Sequence, residues 1–117
     1  MKTTKSKQTR KKSIPDEVKR QVEEIVDNFN RATFRGDPSY YFIARFKGDC
    51  VYLDRYEYGR SGPICRLTWK GGMDNWEFAI YKYSKDRYDP DEWFFPGSGY
   101  VDGTVEGAMK AGMEAYP

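Results

Sequence analysis

The chain has no histidine. The side chain that most often serves as a general base near neutral pH, and that most often ligates transition metals, is therefore missing, and any catalysis has to run on carboxylates or a thiol. Cysteine is nearly absent too. Cys50 and Cys65 are too few for a disulfide scaffold in 117 residues and lack the paired spacing of a zinc site. No apolar run approaches the roughly 18 residues of a membrane span, and the N-terminus lacks the apolar stretch of a secretory signal. These absences predict a cytoplasmic protein with no membrane partner, no cofactor and no metal centre. Hydrophobic residues make up only 38% of the chain, but Trp, Tyr and Phe account for 17%. Large rings can bury enough area to hold a small core together, and the length allows one domain.

Charge is divided along the chain. Residues 1 to 14 hold Lys2, Lys5, Lys7, Arg10, Lys11 and Lys12 and no acid, a charge of +6; the other 14 basic and 18 acidic residues leave the body at −4. Such a polar, like-charged stretch predicts a disordered basic tail over 1–14, with a single domain over 15–117. The mildly acidic body argues against a folded nucleic-acid-binding surface, which carries its basic footprint on the domain itself.

From Ser13 the pattern becomes helical. Val18, Val22, Ile25, Val26 and Phe29 share one face, with Lys19, Glu23, Asp27 and Arg31 opposite. Ser13 and Asp16 are spaced as a capping box around Pro15, and Asp16 with Arg20 and Asp27 with Arg31 are favourable i,i+4 pairs. After "RGDPS" the period changes to two. Tyr40 to Lys47, Val51 to Tyr58, Ile64 to Lys70 and Trp76 to Tyr83 predict a four-stranded antiparallel meander, followed by a final helix from about Thr104 to Tyr116. The fold class is α+β: N-terminal helix, meander, C-terminal helix.

A two-residue Gly48-Asp49 turn registers the first hairpin, setting Lys47 opposite Cys50, Phe46 opposite Val51, Arg45 opposite Tyr52 and Ala44 opposite Leu53. Phe42, Ala44, Phe46, Val51 and Leu53 then form the core face, extended by pattern to Cys65, Leu67, Trp69, Trp76, Phe78 and Ile80. The other face carries Tyr41, Ile43, Arg45, Lys47, Tyr52, Asp54, Tyr56, Arg66, Thr68, Lys70, Glu77, Tyr81 and Tyr83. In the last helix Val105, Met109, Met113 and Tyr116 form a bulky stripe beside a flank of Gly107, Ala108, Ala111, Gly112 and Ala115. Glycine costs roughly 1 kcal/mol against alanine inside a helix, so this flank implies a close neighbour: the sheet, the first helix or another subunit.

The glycines of "WFFPGSGYVDGTVEGAM" raise the possibility of a phosphate cradle. Gly103 is followed by Thr104 with no lysine, so the P-loop pattern fails, and Gly97, Gly99 and Gly103 miss the dinucleotide spacing. Asp102, placed to cap the helix, occupies the position an anion would take. A capped turn is the reading that fits. Asp86, Asp89, Asp91 and Glu92 have the chemistry for a hard cation but no EF-hand pattern, and read as a solvated turn. Cys65, facing inward and without a base, reads as packing rather than as a nucleophile.

Tyr41, Arg45, Lys47, Tyr52, Tyr56, Arg66, Lys70 and Tyr81 make the candidate binding face, and Trp93, Phe94 and Phe95 a candidate interaction segment. Three functions are open: a small non-catalytic binding or protein-interaction module, in complex with a protein partner or as a homodimer; single-stranded nucleic-acid association through stacking and the basic tail; and a small carboxylate- or metal-dependent enzyme. Ordinary surface duty for the face is the plain alternative to all three. "PICRLTW", "WEFAIYKYSKDRYDPDEWFFPG" and "VDGTVEGAMKAGMEAYP" resemble a family of small prokaryotic domains of unknown function, over about residues 40–117. The resemblance implies no activity, ligand or catalytic residue. It does imply that the aromatic and glycine-bearing C-terminal segment belongs to the domain.

Overall fold

The computed structural model describes residues 13–117; apart from its last two residues, the predicted tail lies outside that range. Helix α1 spans Asp16–Phe34, and strands β1 Tyr40–Lys47, β2 Cys50–Glu57, β3 Arg60–Thr68, β4 Glu77–Lys82 and β5 Arg87–Asp89 follow in order. A single 3-10 turn, Ser98–Tyr100, precedes helix α2, Val105–Ala115. The strands form one antiparallel sheet in the order β1-β2-β3-β4-β5. The α+β meander is as expected, with five strands where the sequence pattern predicts four. "SKDRYDPDE" is not all turn: Asp86 takes φ 53, and the chain returns as β5, pairing Tyr81 with Tyr88. No helix among the described residues is long and apolar enough to cross a membrane.

The apolar stripe of α1 is buried at Val22, Val26 and Phe29. Its start differs from the capping-box expectation. Pro15 is the N-cap, without a side-chain bond, so only the first-turn carboxylates Asp16 and Glu17 favour the helix dipole there. Arg20 pairs with Glu17 and Arg31 with Asn28, three residues back, in place of the expected i,i+4 partners. Arg35 enters the left-handed region at φ 59 and ends the helix, its N–H donating to the Arg31 carbonyl at 3.1 Å.

The first hairpin has the expected register throughout, from Lys47 opposite Cys50 to Ala44 opposite Leu53. The second turns at Tyr58 and Gly59, both at positive φ as a type I′ turn requires. Between Leu53 and Asp54 the register slips. Leu53 pairs with Cys65 and Asp54 with Pro63, leaving Ile64 as the extra residue of a β-bulge. The bulge lets both Ile64 and Cys65 be buried on a strand where alternation would expose one of them.

Phe42, Val51, Leu53, Cys65, Leu67 and Ile80 are buried with Val22, Val26, Val105 and Met109 in one cluster, and Ala44, Phe46, Trp69 and Phe78 pack at its margin. The core face is therefore the one the hairpin register predicts. Burying a side chain such as Leu53 stabilises by about 1.5–3 kcal/mol. Both helices lie on this face. A Cβ on Gly112 would come within 2.5 Å of the Ile64 Cγ2 and 3.9 Å of the Phe42 ring, so the small flank of α2 is where helix backbone closes on β3. No helix among the described residues lies over the other face of the sheet.

Candidate interaction face

On the uncovered face the strand register brings side chains from all five strands together. Arg45 on β1 lies opposite Tyr52 on β2, and Tyr52 opposite Arg66 on β3. The Arg45 guanidinium sits 5.1 Å from the Tyr52 ring centre and bonds the Asp54 carboxylate at 2.5 and 3.2 Å. Asp54 is only 8% exposed, so a single arginine neutralises a carboxylate that water scarcely reaches. Tyr88 on β5 completes the group. Its ring meets Tyr52 edge-on at 5.3 Å and Tyr81 at 5.0 Å, and Arg66 lies over it at 5.4 Å. The Arg66 Nε is shielded from solvent and has no hydrogen-bond acceptor among the described residues.

Electrostatics follow from this packing. Burial raises the Tyr88 phenol above its ordinary pKa, with the Asp54 charge adding to the effect. The Tyr81 phenol is pushed up to about 12, first by its hydrogen bond to Asp86. Both hydroxyls therefore stay protonated, and remain donors, across the physiological range.

The predicted face residues do not all meet. Arg45, Tyr52, Arg66 and Tyr81 converge; Tyr41 and Tyr56 stack on each other at 4.8 Å as a separate pair. Lys47 stands exposed near the Gly48 turn, and Lys70, past the end of β3, pairs with Glu77 at 3.7 Å. Tyr83, assigned by alternation to this face, lies just past β4 and meets Tyr81 edge-on at 4.8 Å and Tyr116, which follows α2, at 5.4 Å. Tyr88 is missing from the predicted face because its segment reads as polar turn. Its one sequence signal is an aromatic at the right distance beyond a four-residue turn to face Tyr81.

The Trp93 to Phe95 segment divides. Phe95 stacks on Phe78 at 5.9 Å, whereas Trp93 is 62% and Phe94 94% exposed. Only Phe95 is an anchor.

The glycine loop is a structural turn. Gly97 and Gly103 take φ 95 and 88, and a Cβ on them would collide with the Ala111 and Asp74 carbonyls. The helix cap is Thr104 rather than Asp102: the Thr104 Oγ1 accepts the Gly107 N–H at 3.0 Å. Asp102 supports that cap by accepting the Thr104 hydroxyl at 2.6 Å and its N–H at 3.0 Å, bonds that hold its carboxyl below the usual range.

The acidic group beyond β4 is dispersed among partners. Asp86 accepts from Tyr81, Asp89 from Lys85 and the Asp91 N–H, and Glu92 pairs with Lys82. Among the described residues no group of three or more His, Cys, Asp or Glu side chains gathers as metal ligands. Cys65 is fully buried, and burial pushes its thiol far above the ordinary range, away from the thiolate a nucleophile needs.

No family model matches the chain, and no curated protein and no solved structure matches it.

Proposed function

We propose that this chain is a small non-catalytic binding module whose contact surface for a protein partner is the uncovered face of the sheet. The observation that carries this reading is the group Arg45, Tyr52, Arg66, Tyr81 and Tyr88 on a sheet face that no helix among the described residues covers. Tyrosine and arginine are the residues on which protein interfaces concentrate binding energy. The rings hold one another in place, so little side-chain freedom remains to be lost on contact. Arg45 supplies an exposed guanidinium on this face, and the partner is a protein surface offering carboxylate or carbonyl oxygens. The family resemblance belongs to this proposal as well and adds no activity to it.

The test is selection from a random peptide display library against the intact chain. Binders that lose affinity on Tyr52→Ala and Tyr88→Ala are expected; a set of binders indifferent to both replacements overturns the reading. Light scattering over a concentration series addresses the homodimer form, which a strict monomer at high concentration excludes.

Single-stranded nucleic acid is the second reading, supported by the exposed Lys47, the stacked Tyr41 and Tyr56, and the basic residues of 1–14. It is second because Arg45 is neutralised by Asp54 and Arg66 is spent on Tyr88. An amide-shift titration with mixed single-stranded oligonucleotides at low and near-physiological salt separates the two. Shifts at Tyr41, Arg45, Tyr52 and Tyr81 that survive salt favour nucleic acid; shifts erased by salt mean non-specific attraction.

A further inference from the structure

Arg55 lies on the helix-facing side of β2, one pleat beyond Leu53, and its side chain is only 4% exposed. A guanidinium taken out of water requires acceptors for its five N–H groups. Its Nε donates to the Glu57 carboxylate at 2.6 Å, and a Tyr40 ring lies 5.3 Å from its centre. One terminal nitrogen fares worse: Nη1 points at the Met113 sulfur, 3.7 Å away and a weak acceptor.

Arg55 lines a cleft of about 220 Å³ between the β2-β3 hairpin and the end of α2, with Arg60, Ser61, Ile64, Tyr83 and Tyr116. The cleft is open beside Arg55 because the cross-strand partner of Arg55 is Gly62. A Cβ there would come 3.1 Å from the Tyr83 hydroxyl, while the Gly62 backbone lies outside the left-handed region. The turn does not demand glycine at this position, so its effect is the space it leaves. The two phenols are fixed walls. Tyr83 donates to the Pro63 carbonyl at 2.9 Å and Tyr116 to the Tyr81 carbonyl.

We infer that this cleft is a binding site for a carboxylate carried on a small apolar body. Arg55 and Arg60 outweigh Glu57, which selects an anion; the flat terminal edge of a guanidinium matches the two oxygens of a carboxylate. Ile64 and the two tyrosine rings favour an organic acid over inorganic phosphate. A cleft of this volume has room for one ring or a short chain. A free small acid and the terminal carboxylate of a peptide share this chemistry. The site adjoins the uncovered sheet face through the Tyr81–Tyr83 ring contact, and its assignment does not rest on the function proposed for that face.

Amide-shift titrations of the full chain with benzoate, its neutral counterpart benzamide, and N-acetylphenylalanine test the assignment. Saturable shifts at Ser61, Gly62, Tyr83 and Tyr116 are expected with the carboxylates and not with benzamide. Tighter binding of benzoate identifies a free acid as the natural source, and tighter binding of N-acetylphenylalanine a peptide end. Gly62→Val, which fills the cleft beside the guanidinium and crowds the Tyr83 hydroxyl, should weaken binding at least tenfold, and Arg55→Lys, which removes the fork, by a similar factor. No saturation by either acid up to about 10 mM, where a millimolar Kd would be evident, overturns the proposal. Equal response to benzamide, or full affinity in Gly62→Val, does the same. Should Arg55→Lys fail to fold, Gly62→Val and the benzamide comparison still decide.

Discussion

The carboxamide of Asn30 on α1 pairs with both backbone groups of Phe42 on β1: its Nδ2 donates to the Phe42 carbonyl at 3.0 Å, and its Oδ1 accepts the Phe42 N–H at 2.8 Å. β1 is an edge strand, so these groups have no strand to bond. Asn30 supplies one residue's worth of the missing neighbour and ties the first helix to the sheet edge, one of the ways an edge is kept from pairing with another chain. Asn30→Ala should lower the unfolding free energy by about 1–3 kcal/mol, because two partly buried groups lose their partner together. Urea unfolding measures the loss, and hydrogen exchange locates it. An unchanged exchange rate at the Phe42 amide would show that the pairing contributes nothing.

Small residues in α2 make a second case in which local propensity and tertiary contact oppose each other. Alanine is the better helix former by about 1 kcal/mol, yet Gly112→Ala would drive a methyl into Ile64. Overpacking of this kind costs about 1–3 kcal/mol, so the contact wins. Gly99→Ala is the control, since nothing lies within 4 Å of a Cβ there. Thermal unfolding should show a lowered midpoint for Gly112→Ala and little change for Gly99→Ala. Equal midpoints would mean that the helix and β3 have room to separate.

These two sites mark how far the sequence could be read. A close contact at Gly112 is legible, because glycine weakens a helix and is tolerated there where backbone must approach a neighbour. Which neighbour it meets is not, because nothing in α2 favours one face of the sheet. The first hairpin is readable in full because a two-residue turn leaves the register no freedom. β5 is not, since three residues flanked by acids and proline carry no period. The bulge at Ile64 hides for a different reason: alternation assumes an unbroken pleat, and one extra residue suspends it. Arg55 and Asp54 read as surface by hydropathy, and only their partners Glu57 and Arg45 make burial tolerable. The tyrosine face is legible as composition. Its internal pairing, and the part of Tyr88 in it, is not.

Tyrosine ionisation tests the uncovered face in alkaline solution. Tyr81, Tyr83, Tyr88 and Tyr116 all have phenols raised above the ordinary value, Tyr81 to about 12. A phenol whose folded pKa is raised contributes stability that is fully present below its unfolded pKa, about 10. That contribution is lost as the pH rises through the folded value, because the unfolded chain releases the proton first. Stability should therefore fall between about pH 10 and 12. Phenolate absorbance should show a late-titrating component that Tyr81→Phe removes, and Asp54→Asn should shift part of the remainder downward by relieving the charge facing Tyr88. A single transition near 10 in the folded protein would contradict the packing around Tyr88.

Arg45 and Asp54 differ in what each leaves behind. Asp54 is 12% exposed at its side chain and Arg45 54%. Deleting the arginine strands a carboxylate among Tyr88 and Cys65, whereas deleting the carboxylate leaves a guanidinium free to turn into water. Arg45→Ala should cost more than Asp54→Ala, by about 1 kcal/mol or more. A double-mutant cycle in urea gives both terms, and equal single costs would mean that water reaches Asp54 after all.

The exposed rings separate an anchor from a contact surface. Phe95 is stacked on Phe78 at the margin of the core, so Phe95→Ala removes partly buried area and should destabilise by about 1–3 kcal/mol. Trp93→Ala and Phe94→Ala remove rings that water already surrounds, and each should stay within about 0.5 kcal/mol of the parent. Thermal unfolding of the three variants checks the division. A loss of more than about 1 kcal/mol in Phe94→Ala would place that ring against the domain and withdraw it as a candidate contact. A stable Phe94→Ala that also loses affinity for the display-selected peptides would extend the interface from the sheet to this segment, since stability and binding would then have been separated at a single ring.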